Sequence, residues 1–92
     1  MIRLSGHLIC LSEEEAQAVR AHLDAHIRAS RAETGCLSFE ITQTDDPLVW
    51  EVRESFRTRA DFDAHQTRTR ESPWFAATRH ILRDFRIEEL RD

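Results

Sequence analysis

A chain of 92 residues, 40% apolar and one third charged, has room for one compact domain spanning 1–92 with a modest core. Its net charge of −4 excludes a nucleic-acid binder, since the arginines between Arg57 and Arg70 are interrupted by Asp61 and Asp63 and form no basic stripe. No apolar run approaches the ~20 residues that span a bilayer, and no basic segment leads into an apolar one as in an export signal. Cys10 and Cys36 make no disulfide framework, so the expectation is a cytoplasmic protein with reduced thiols.

The first element is a strand over residues 2–11, where Ile2, Leu4, Leu8 and Cys10 alternate onto one face. Ser12 with Glu15 forms a capping box and opens a helix running to about Glu33. Ala16, Val19, Leu23 and Ile27 form its apolar stripe, and Gly35 is expected to end it through a positive φ. Alternation returns in CLSFEITQ, with Leu37, Phe39 and Ile41 on one side. A turn of Asp and Pro chemistry follows. In LVWEVRESF, Leu48, Trp50, Val52, Glu54 and Phe56 share a face, so the two strands make a hairpin. Thr58 and Asp61 open a second helix through about Thr67. Ser72 and Pro73 occupy the N-cap and first position of a short third helix over 74–80. Phe85 and Ile87 in LRDFRIEEL mark a last strand.

The order β-α-β-β-α-β predicts an α+β, ferredoxin-like fold: a four-stranded antiparallel sheet with its helices on one side. Leu37, Phe39, Trp50 and Phe56 are large enough to suggest apolar residues on both sheet faces. That would make the uncovered face a docking surface for a second copy.

The stretch GCLSFEITQTDDPLVWEVRESF, followed by ADFDAHQ and SPWF, resembles the antibiotic biosynthesis monooxygenase domain. Small quinol monooxygenases and haem-degrading enzymes are among its relatives. The most specific matches are Gly35 to Leu37, Glu54 with Phe56, and Ala64 with His65. The resemblance implies a homodimer in which two sheets pack face to face as a dimeric α/β-barrel, with a pocket in each subunit between sheet and helices. It implies oxidation of a quinol or hydroxyaromatic by O2 without metal, haem or bound flavin. One departure is the six-residue spacer QTRTRE between His65 and Ser72, where shorter spacers are usual, read here as a loop at the pocket mouth.

Chemistry without a bound cofactor needs a base, a dry pocket and donors for a developing oxyanion. His65 is the candidate base, or a substrate-orienting donor; its alternative is a structural histidine on a helix face. His26, four residues after His22, is a candidate pocket group rather than a metal ligand, since no third ligand accompanies the pair. His7 is a candidate because Gly6 beside it could leave room for a ligand. Phe39, Trp50 and Trp74 are candidate substrate walls. Glu54 reads as a paired structural carboxylate. Resemblance to the haem-degrading branch would imply a ligand histidine about five residues after Pro73; Thr78 stands there and His80 comes two residues late, so no haem is expected. The alternative function is a dimeric small-molecule binding protein without turnover.

Overall fold

A computed structural model describes residues 1–91. Its elements are β1 (Ile2–Ile9), α1 (Glu13–Arg31), β2 (Cys36–Gln43), β3 (Val49–Phe56), α2 (Arg59–Arg70), α3 (Pro73–Thr78) and β4 (Leu82–Glu89). The sheet is antiparallel throughout, in the order β2-β3-β1-β4. This is the ferredoxin-like arrangement that the alternation and caps predict. No helix among the described residues is long and apolar enough to cross a membrane.

Each helix starts where a side chain satisfies a free amide. Ser12 Oγ accepts from the Glu15 amide at 3.2 Å, while Glu15 accepts from the Leu11 amide at 2.7 Å. Thr58 Oγ1 accepts from Asp61 and Ser72 Oγ from Phe75, with Pro73 in the first turn of α3. The helices cover the sheet face carrying Ile2, Leu4, Leu8, Phe39, Ile41, Val52 and Phe56, which form the core with Val19 and Phe62. The buried stripe of α1 swings away from the expected Leu23 and Ile27, which are half-buried, onto His26 and Ser30. Its C-terminal half therefore presents polar side chains to the interior.

Three expectations change. Residues 66–70 are the last turns of α2 rather than a loop, because no Gly or Pro interrupts the helix before Glu71. Gly35 has no positive φ. It is small because a Cβ there would sit 2.0 Å from Cγ of Asp61, whose side chain closes on the α1–β2 junction. The uncovered sheet face is polar. Register places Arg3, Ser5 and His7 of β1 beside Glu51, Arg53 and Ser55 of β3 and Asp84, Arg86 and Glu88 of β4. Apolar side chains gather only at one end, where Ile9 pairs with Val49 and Leu82. The irregularity between Cys36 and Ser38 turns Leu37 out to solvent and Phe39 in.

Gly6 is the one residue of β1 that its neighbours fix by size. Its φ is +149°, and a Cβ would lie 2.0 Å from the Asp84 carbonyl oxygen and 2.9 Å from Phe85 Cα. The close approach foreseen beside His7 is thus of the β4 backbone. Gly6→Ala is expected to cost roughly 2–3 kcal/mol by straining β1 and pushing β4 outward. Urea unfolding measures this; an unchanged midpoint would refute it.

Candidate active site

A cavity of about 230 Å³ lies between the inner sheet face and α2 with α3. Leu4, Leu8, Ile41, Val52 and Phe85 give it an apolar floor, and Trp74 and Phe75 close it from α3. Cavities of about 150 Å³ with aliphatic walls accept benzene, so this one has room for one or two aromatic rings.

His65 is the best-held polar group on its wall, with 2% of the residue exposed. Its Nδ1–H donates to Glu33 Oε1 at 2.7 Å, which fixes the neutral tautomer with the lone pair on Nε2. Glu33 follows the C-terminus of α1, and its second oxygen accepts from Arg68 Nε at 3.0 Å. Arg68 donates in turn to Ser30 Oγ at 2.9 Å. On the other side of the ring, Thr69 Oγ1 lies 3.3 Å from Nε2 and Glu54 Oε1 3.6 Å away. Phe39 and Phe56 pack on the ring at centroid distances of 5.4 and 4.8 Å. Burial lowers the His65 pKa and the Arg68 charge adds to this, against the bond to Glu33, so the ring is a neutral base at physiological pH.

Glu54 has the opposite character. It stands on the inner face of β3 between Val52 and Phe56, 7% exposed, and its Oε1 has no hydrogen-bond partner among the described residues. Burial, with the negative charge of Glu33 adding and Arg83 opposing, pushes its pKa up to about 8. At pH 7 it is mostly a neutral acid beside a neutral base. Two adjacent groups driven apart in this way can accept and donate protons in one step.

His26 lies flat against Trp74, with centroids 4.6 Å apart and planes within 2°. Burial, reinforced by the charges of Arg68 and Arg83 and by the charge His65 gains when it protonates in acid, holds its pKa down to about 3, so it is neutral. Its Nδ1 is buried without a hydrogen-bond partner among the described residues.

The structure therefore brings His65, His26 and Trp74 to the cavity. Phe39 supports both histidines from behind, 5.2 Å from His26. Trp50 is buried on the same sheet face but lies outside the lining, its Nε1 without a partner among the described residues. His7 lies on the far side of the sheet: register is unbroken through Gly6, so period two sends His7 opposite to Leu4 and Leu8. Reading the sequence missed Glu33, Thr69, Arg68 and Arg83, and read Glu54 as structural. A visible signal existed for Glu54: a carboxylate at an apolar-parity position of a central strand.

The family profile described as antibiotic biosynthesis monooxygenase matches residues 8–79. The chain belongs to this family. Among solved structures, a Nitrosomonas europaea protein named for the same family is 22% identical over 97% of each chain, with a TM-score of 0.84. A Deinococcus radiodurans protein of that name is 21% identical, covering 100% of this chain and 94% of its own, with a TM-score of 0.82. A Bacteroides thetaiotaomicron protein of unknown function is 16% identical over 95% of this chain and 92% of its own, with a TM-score of 0.73. At these identities the likeness is one of fold, and the fold carries more than one activity. No curated protein matches the chain.

Proposed function

We propose that this family member is a monooxygenase oxidising a quinol or other hydroxyaromatic with O2 in the cavity, without metal, haem or flavin. The observation that carries the reading is the His65 ring, tied to Glu33 through Nδ1 while Nε2 meets the cavity beside Glu54. His65 Nε2 takes the proton of the ring hydroxyl, and the phenolate then passes an electron to O2. Glu54 donates a hydrogen bond to the oxyanion that develops. One oxygen atom bonds to a ring carbon and the other leaves as water with the ring hydrogen and the hydroxyl hydrogen. The substrate loses four electrons and O2 gains four, so a hydroxyarene becomes a quinone with no external reductant. Apolar walls keep bulk water from the reacting oxygen. We read the open sheet face as the surface on which a second copy docks, as the family resemblance implies; its charged rows would make such a contact polar.

The test is oxygen uptake with a panel of hydroquinones and hydroxynaphthalenes, run with chelator and with autoxidation subtracted. Uptake above background, with one ¹⁸O atom of labelled O2 in each product molecule, is the expected result. Compounds that bind but raise no uptake would make the cavity a binding site without turnover.

A further inference from the structure

We propose that the cavity selects hydroxyaromatics that carry a carboxylate, the ring hydroxyl at His65 and the carboxylate toward Arg83. This rests on the reading of the cavity as a hydroxyaromatic site and specifies which members of that class it takes.

Arg83 lines the cavity from β4, the edge strand, on the same sheet face as Phe85. Its Nη1 donates to the carbonyls of Thr78 at 2.7 Å and Ile81 at 3.0 Å, and Nη2 donates to Thr78 Oγ1 at 3.0 Å. These bonds fix the guanidinium at the end of α3. They leave two of its five N–H donors, one on Nε and one on Nη2, without an acceptor among the described residues. No carboxylate among the described residues lies within 4 Å of it. The other half-buried arginine of this region, Arg68, is paired with Glu33. A half-buried cation without a counter-charge is costly, and its missing partner is an anion.

Charge elsewhere in the cavity points the same way. His65 and His26 are neutral at pH 7 and Glu54 is mostly protonated, so Arg83 and the exposed Arg70 at the rim are the charged groups of the lining. Glu54 cannot serve as the counter-ion without ionising in the apolar floor. A planar carboxylate meets the free guanidinium donors with two oxygens, which a neutral phenol cannot do. The apolar floor between Arg83 and His65 then holds the ring.

Isothermal titration calorimetry with 2-naphthol and 6-hydroxy-2-naphthoate, whose hydroxyl and carboxylate stand at opposite ends of the ring system, tests this at pH 7. The parent is expected to bind the acid about tenfold or more tightly than the naphthol, and high salt should erode that preference. Arg83→Gln should abolish the preference while leaving naphthol affinity within about threefold, and Arg83→Lys should retain part of it. Equal affinity of the parent for the two compounds would overturn the proposal whether or not the variants fold. So would a parallel loss for both compounds in a folded Arg83→Gln, which would put Arg83 at the hydroxyl or in support of α3. Preference for the acid without oxygen uptake would remove the oxygenase reading and leave this one. Uptake without the preference would do the reverse.

Discussion

Replacing His65 by Gln is expected to lower turnover of a hydroxyaromatic by roughly 10²–10⁴-fold, the range general-base catalysis contributes. Gln is the informative substitution because it fills most of the space against Phe39 and Phe56, where Ala would leave a void in the core. Loss of the imidazole does not strand Glu33, since Arg68 still pairs with it. A fall in kcat with KM and the thermal midpoint nearly unchanged is the outcome that assigns His65 to the chemical step. Activity within threefold of the parent would keep the enzyme and move the base elsewhere. The pH profile gives an independent check. The acid limb should fall below the ordinary histidine range, because burial lowers the His65 pKa. The alkaline limb should lie near pH 8, where Glu54 ionises and stops donating.

The second large effect is on stability. Glu54 titrates near 4.5 when freely solvated and near 8 in the folded protein. A folded-state pKa above the unfolded value means that the unfolded chain releases this proton first. The contribution of Glu54 to stability is therefore intact below about pH 4.5 and is lost as pH rises through 8. At about 1.4 kcal/mol per pH unit the loss is on the order of 4 kcal/mol by pH 8. Glu54→Gln mimics the protonated acid at all pH values. It should be more stable than the parent at pH 8 by several kcal/mol and by under about 1 kcal/mol at pH 5. His26 acts in the opposite direction: its depressed pKa makes stability fall as pH drops from 6.5 through about 3. Both proteins share that slope, so the difference between their urea-unfolding curves against pH isolates Glu54. A difference that stays constant from pH 5 to pH 8 would mean that the carboxylate is ionised in the fold, and the acid role would go with it.

The elements were legible because their signals are local. Ser12, Thr58 and Ser72 cap helices through contacts three residues away, and period-two alternation fixes the strands. The site was only partly legible, because its defining contacts are long-range. His65 meets Glu33 across 32 residues and Arg68 meets Ser30 across 38. Nothing in the spacing of either pair announces it. His7 went astray for a different reason: alternation shows that neighbouring strand residues face opposite ways, but not which face the helices cover. Burial of Leu4 and Leu8 settles that, and it takes His7 out of the cavity. Arg83 went unnoticed because a strand arginine ordinarily reaches solvent, whereas here Thr78 and Ile81 hold it inward.

The flat contact of His26 on Trp74 gives the molecule a built-in optical gauge. Of the two indoles, one forms a wall of the cavity against a neutral imidazole and the other, Trp50, is enclosed outside it. Whatever enters the cavity changes the surroundings of the first and leaves those of the second alone. Trp74 emission should therefore report occupancy without a label, and a Trp50→Phe variant would isolate it from the overlapping band of the second indole.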